Sequence, residues 1–238
     1  MSRALEYQRR MLALQETAGA QAFAAAALPY SPPEALSSPA NARKHLMLQE
    51  VALDQDLERL SAIKGLAGRQ DLKRNELLPK YQPYIQSYCE SGLNIPNRVL
   101  VQVMVWLFDT AQFEDGLELA DFAMSQGQVM PERFKRDIPT FVADSVIEWA
   151  YAEHEAKRSP EPYLSQLLDR VDGEWDLTEA IPAKYHKLLG IRAMEAKEWL
   201  RAIYHFERAT ELYPQIGVGT RLENCRKALK KQAGTDAS

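Results

Sequence analysis

The chain has 238 residues, 46% of them hydrophobic and 26% charged, and a formal net charge of −4 at pH 7. That length allows one substantial core, or a core with an appendage. No apolar run nears the roughly 18–20 residues of a membrane span, and the opening MSRALEYQRRMLALQE lacks the hydrophobic stretch of a secretion signal. Composition therefore speaks against a membrane or secreted protein.

Cys89 and Cys225 fit no metal or redox spacing, so reduced thiols of a cytosolic protein are expected. The charge is uneven along the chain. Residues 1–80 carry 11 Lys and Arg against 9 Asp and Glu; residues 81–182 carry 7 against 18; residues 183–238 carry 11 against 6. An acidic middle between basic ends leaves room for a polyanion at the ends and disfavours one at the centre.

In chain order, residues 1–18 read as a short helix with Arg3, Arg9 and Arg10 beside Leu5, Met11, Leu12 and Leu14. Residues 19–42 are rich in Ala, Pro and Ser and read as a linker. From Arg43 to Lys80 the pattern predicts one long helix, with Leu46, Leu53, Leu57, Leu60 and Ile63 on a stripe suited to docking on a neighbour or on a copy of itself. Its second half carries a loose basic cluster, Lys64, Arg69, Lys73 and Arg74, which is the candidate phosphate-contacting patch together with Arg9 and Arg10. Pro79 and Pro83 predict a break. A helix over 84–92 should stop at Gly92, and the next, apolar almost all round from Val99 to Phe108, should be the most buried of the chain, with Asn94 as its cap. Arg133, Lys135 and Arg136 precede a helix carrying Phe141, Val142, Val146, Trp149 and Ala150. Residues 163–175 form another helix, and residues 218–231 a final one with a polar outer face.

Residues 183–217, AKYHKLLGIRAMEAKEWLRAIYHFERATELYPQIG, fit a tetratricopeptide-like (TPR-like) helical hairpin. Gly190 and Ala202 allow two helices to approach, while Leu189, Trp199 and Phe206 fill the seam. A weaker copy lies upstream: QFEDGLELADFAM (112–124) aligns with EWLRAIYHFERAT (198–210), matching Phe113 to Trp199, Gly116 to Ala202, Ala120 to Phe206 and Ala123 to Ala209. The expected fold is all-α: a long N-terminal helix followed by a TPR-like repeat domain. The expected divisions are 1–42 (helix and linker), 43–81 (DNA-binding or oligomerisation helix), 82–231 (repeat domain) and 232–238 (tail).

ELLPKY (76–81), VMVWLFDT (103–110), GLELADFAM (116–124) and GQVMP (127–131) occur in this order, and with them the chain resembles the small terminase subunit of P2-type tailed phages over about residues 45–215. That family also carries the label of terminase endonuclease subunit. The resemblance implies a role in virion assembly in the host cytoplasm. The subunit would bind double-stranded viral DNA at its end site and act with a large ATPase–nuclease subunit to start packaging, as a homo-oligomer and, by analogy with small terminases generally, a ring. The tail after Leu229, KKQAGTDAS, is brief where the family often has a long basic extension, which shifts the expected DNA contact to the N-terminal helices.

A nuclease needs carboxylates converging on a divalent ion such as Mg²⁺. The candidates are Asp144 with Glu155 and Lys157, or Asp176 with Glu195 and Lys197. Both include an EAK triplet, a spacing that shares a face on a strand but not on a helix, so neither makes a convincing catalytic site. No cofactor is expected, and Mg²⁺ only if the chain cuts DNA. His45, His154, His186 and His205 form no ligand motif, although His186 and His205 are placed to meet across the hairpin. Three readings follow: a packaging subunit that binds DNA and recruits its large partner, an endonuclease in its own right, and a helical-repeat adaptor with no DNA role.

Overall fold

The computed structural model describes residue 36 and residues 38–236; Arg9 and Arg10, with the expected helix 1–18, lie outside them. The described residues are helical with no strand. They divide into two compact units, one running to Thr110 and adding Glu118–Pro131, the other formed by Ala111–Leu117 and Glu132 onward.

In the first unit, α1 (Pro39–Ala62) opens with Ser38 accepting a hydrogen bond from the Asn41 amide at 3.2 Å and Pro39 in its first turn. The segment predicted as one helix to Lys80 breaks at Ile63, whose extended backbone ends α1. Arg69 Nε donates to the Ile63 carbonyl at 2.6 Å, and a Cβ on Gly68 would meet Ile63 at 3.1 Å, so the elbow is closed by a small residue and a capping guanidinium. The break expected at Pro79 and Pro83 does not occur. Helix continues through α2 (Leu66–Leu72), a π-helical turn (Lys73–Leu77) and α3 (Leu78–Glu90), and so the division expected after Tyr81 falls inside a helix. The wider π turn, in which the Leu78 amide reaches back to the Lys73 carbonyl, loosens the ladder just before the prolines that cannot donate to it.

α4 (Arg98–Asp109) is the hydrophobic helix of the sequence, and every residue from Val99 to Phe108 is buried. Its cap is Asn97 rather than Asn94. Asn97 Oδ1 accepts from the Leu100 amide at 3.0 Å, its Nδ2 donates to the Tyr84 hydroxyl at 2.9 Å, and its own amide donates to Gln128 at 2.7 Å. One buried side chain thus starts α4 and ties it to α3. Asp56 does the same for α1: nearly buried, it accepts from Arg59 at 2.9 Å, Lys80 at 2.6 Å and the Tyr81 hydroxyl at 2.8 Å. Burial alone would raise its carboxyl, but the Lys80, Tyr81 and Arg59 bonds more than offset that and hold it below the usual carboxylate range.

α5 (Phe113–Ser125) leads between the units in sequence. The second unit continues with α6 (Ile138–Glu155), the short α7 (Tyr163–Gln166), a π turn (Arg170–Glu174), α8 (Ala180–Glu195), α9 (Trp199–Leu212) and α10 (Gly219–Asp236). Phe113, Trp149 and Tyr163 stack into one aromatic cluster with centroids 4.7–5.9 Å apart. The Tyr185 hydroxyl donates to the Ala143 carbonyl at 2.8 Å and fixes α8 on α6. α8 and α9 form an antiparallel hairpin: Gly190 meets Phe206, and His186 meets His205. α10 closes over it, with Val218 and Cys225 joining Ala193, Ala202 and Phe206 in one cluster.

The aligned hairpin segments share a register at their turns. Phe113 and Trp199 are each the first residue of a helix, and the aligned Ala111 and Lys197 each hold the left-handed conformation, at φ 58° and 61°. Phe113, Ala120 and Ala123 are buried, as are Ala202, Phe206 and Ala209.

Gly190 is the tightest point of the second unit, since a Cβ there would stand 2.6 Å from the Phe206 ring. Gly190→Ala is expected to lower stability by about 1–3 kcal/mol through overpacking. Gly219→Ala, where nothing lies within 4 Å, should cost nothing; urea unfolding of the two variants makes the comparison.

Candidate functional site

The four basic residues of the predicted patch have different fates. Lys64 is exposed on the elbow between α1 and α2. Arg69 is half-buried and bonded to Ile63 as described. Lys73 Nζ donates to Asp109 Oδ2 at 2.6 Å, with only 12% of its side chain exposed. Arg74 Nη2 donates to the Thr110 carbonyl at 3.1 Å. Lys73 and Arg74 thus fasten the π turn to the C-terminal end of α4, where unpaired carbonyls and the helix dipole favour cations. The pattern of charges on one helix gave no sign of this, because the acceptors lie 36 residues further on.

The carboxylate candidates do not converge. Asp144 is buried on α6 with its Oδ2 2.5 Å from Arg136 Nη1. Glu155 lies 11 residues later on the same helix, roughly 16 Å along its axis. Lys157 follows the helix end with φ 59°, and Lys197 takes φ 61° after α8. The two EAK triplets are one device. In each, Ala is the C-cap, the Lys amide donates to the carbonyl three residues back (His154 or Met194), and the next amide donates five back (Glu153 or Ala193). This is the Schellman turn, with Lys at the position glycine usually takes. Gly127 fills that position after α5, with matching bonds to Met124 and Ala123. Among the described residues, no three His, Cys, Asp or Glu side chains group so as to hold a metal ion, and these donors do not fit Mg²⁺.

A buried polar chain runs through the α8–α9 hairpin. Arg208 donates from Nε and Nη2 to both oxygens of Asp172, at 2.9 and 2.8 Å. His186 Nε2 lies 3.0 Å from Asp172 Oδ2, and its Nδ1 lies 3.0 Å from His205 Nδ1. Asp172 sits in the π turn, at the one residue there with non-helical backbone, φ −104°. Burial would raise its carboxyl, but Arg208 and His186 hold it below the usual range, so it acts as an acceptor only. His186 therefore donates from Nε2 and accepts at Nδ1, which makes His205 the donor between the rings. Burial pushes His186 down despite the neighbouring Asp172. Burial first, then the charges of His186 and Arg201, push His205 down to about 4. Protonating both rings would set N–H against N–H, so the pair accepts at most one extra proton. The approach of the two histidines was legible in the sequence; Asp172 and Arg208 were not. Elsewhere in this unit, a cleft of about 380 Å³ has Arg192 and Arg201 on its walls, paired with Glu161 and Glu198 respectively.

α10 presents Lys227 and Lys230 to solvent opposite its buried Cys225, and Arg226 on the same side pairs with Glu207 at 2.6 Å. No helix among the described residues is long and apolar enough to cross a membrane.

The fold and these side chains define an all-helical protein in which most buried charge joins one helix to another. The family model described as the phage small terminase subunit matches residues 50–180, more than half of the chain. The chain belongs to the phage small terminase subunit family. It is 33% identical over 189 residues to a protein of Haemophilus phage HP1 (strain HP1c1) described as "Probable terminase, endonuclease subunit", covering 74% of this chain and 67% of that one. It is 29% identical over 184 residues to the "Terminase, endonuclease subunit" of Escherichia phage P2, covering 77% and 73%. No solved structure matches. The family match includes the elbow and the α6 carboxylates and ends before the histidine pair.

Two predictions follow from this geometry. Lys157→Gly and Lys197→Gly should each raise stability by about 0.5 kcal/mol, because glycine meets no steric cost at positive φ, and the effects should add in urea titrations of the double variant. The histidine pair should make stability fall with acid. Unfolded histidine titrates near about 6.5, so below that pH the unfolded chain binds protons that the folded pair refuses, until His205 protonates at about 4. The expected loss between pH 7 and pH 4.5 is on the order of 1–2 kcal/mol after allowing for solvent screening, and His205→Gln should flatten it.

Proposed function

We propose that this chain is the DNA-recognising and recruiting component of a phage packaging machine. In this reading it binds double-stranded viral DNA at the end site, as a homo-oligomer in the host cytoplasm. It engages the large ATPase–nuclease subunit through stacked, TPR-like helical hairpins and so starts packaging. Membership of the small terminase family is the observation that carries the reading. The shared turn register of the aligned hairpin segments supports the repeat-like body, since stacked helical pairs serve as binding surfaces.

The structure alters which residues are favoured as DNA contacts. Lys73 is paired with Asp109, and Arg69 and Arg74 each donate to a backbone carbonyl of their own unit, so the reading favours Lys64, with the N-terminal Arg9 and Arg10, as phosphate contacts. Lys227 and Lys230, on the polar outer face of α10, are a second exposed pair.

A second reading takes the names of the two relatives literally and makes the chain the endonuclease. Its strongest donor set is the pairing of Asp144 with Glu155 and Lys157, whose separation and internal bonds disfavour it. The third reading, an adaptor without a DNA role, is disfavoured by the family.

Fluorescence anisotropy of a labelled duplex carrying the phage end sequence separates the three. The first reading expects binding that weakens steeply with salt and no cleavage in Mg²⁺ by the isolated protein. Lys64→Glu should weaken binding several-fold and lower the salt slope by about 1. Lys73→Ala should act mainly by lowering stability. Cleavage abolished by Glu155→Ala would establish the second reading, and no binding at low salt would establish the third.

A further inference from the structure

We infer that α1 is a self-association surface, pairing antiparallel with α1 of a second copy about a two-fold axis beside Val51. The inference rests on the homo-oligomeric reading above and names the surface that would carry it.

α1 has two apolar sides. Ala42, Leu46, Leu53 and Leu60 are buried in the first unit. On the other side Met47, Leu48 and Val51 are 65%, 54% and 59% exposed. Three bulky apolar side chains within about one turn make a patch rather than scatter. At about 100° per residue, Arg43, Met47, Val51 and Glu58 share one face of the helix, and both Arg43 and Glu58 are exposed. Asp54 belongs to the same face but is held by Arg98 at 2.7 Å, and Arg59 is held by Asp56 and Glu76. Along the axis the face therefore reads cation, apolar patch, anion.

That order selects the partner and its direction. A parallel copy would set Arg43 against Arg43 and Glu58 against Glu58. An antiparallel copy sets Arg43 against Glu58 at both ends. The midpoint between those residues falls between Glu50 and Val51, so Val51 packs on its own copy at the axis, as an isologous two-fold contact requires, with Leu48 and Met47 flanking it and Met47 opposite the Asp54 that Arg98 holds. The two charged ends lie about 22 Å apart on each helix, far enough for the apolar centre to fill the space between. Burial of the patch supplies the attraction. The exposed ion pairs are worth only about 0–1 kcal/mol each and set the orientation. Four turns of a single helix bury less than the roughly 800 Å² per partner of a stable interface, so the pair is weak, with a dissociation constant of about micromolar order.

Disulfide trapping in the full chain tests the arrangement, with the wild type as background because Cys89 is half-buried and Cys225 buried. Under mild oxidation Val51→Cys should cross-link to itself. Arg43→Cys and Glu58→Cys should each stay uncross-linked alone and cross-link to one another when mixed. Self-cross-linking of Arg43→Cys and of Glu58→Cys would mean a parallel pair and overturn the inference. Sedimentation equilibrium at about 100 µM, well above the expected dissociation constant, supplies the second readout. Val51→Glu and Arg43→Glu should each lower the mass, and the double variant R43E/E58R should restore it. A wild type that is multimeric but indifferent to Val51→Glu, with no Val51→Cys cross-link, overturns the α1 interface and leaves the oligomeric reading standing. A monomeric wild type overturns both.

Discussion

Each unit is fastened by one mostly buried carboxylate that accepts hydrogen bonds from more than one helix. Asp56 of α1 takes Lys80 and Tyr81 of α3 along with its neighbour Arg59. Asp172, in the π turn before α8, takes both prongs of Arg208 from α9 and the ring of His186 from α8. Removing a charge from water is costly unless all its acceptor positions find donors. The requirement works in reverse as a constraint: helices can pack here only in the arrangement that brings those donors to that carboxylate. Apolar burial supplies the bulk of the stability, but Leu and Val side chains tolerate small shifts that an Asp with three fixed donors does not.

The same economy runs through the remaining polar residues. Asn97 starts α4 and ties it to Tyr84. Lys73 and Arg74 close the end of α4. Arg136 covers Asp144. Much of what looks in the sequence like a free surface charge pattern is thus paired with a group of the same unit. Among the exposed side chains without a partner in their own unit are Lys64 on the elbow, Lys227 and Lys230 on α10, and the apolar side of α1.

The EAK triplets show how a motif changes meaning with backbone context. On adjacent strands an acidic residue and a lysine two apart share a face; at the end of a helix the same three residues make a capping turn. The sequence already argued against a nuclease spacing on the ground of helical periodicity, but it treated both triplets as helix interior. Their true position, with Glu the last helical residue and Ala and Lys beyond it, depends on where α6 and α8 stop. Helix ends are the least legible part of a periodic pattern, since periodicity weakens over its last turn.

How much could be read in advance follows from the range of the interactions involved. The helical class, the burial of Val99–Phe108, the stop at Gly92 and the close approach at Gly190 were all legible, because they depend on residues within a few positions or on one small residue facing one large one. The continuation of helix through Pro79 and Pro83 was not, since it rests on a π turn that local propensity does not foresee. The break at Ile63 was missed because the apolar stripe runs right up to it and no proline marks the turn. The sequence by itself determined that the chain is helical, which faces are apolar and which family it resembles, since those properties are written in short-range spacing. Only the tertiary structure decided which charges remain free to meet a partner. A lysine on a helix has the same local pattern whether it faces solvent, as Lys64 does, or an aspartate 36 residues away, as Lys73 does.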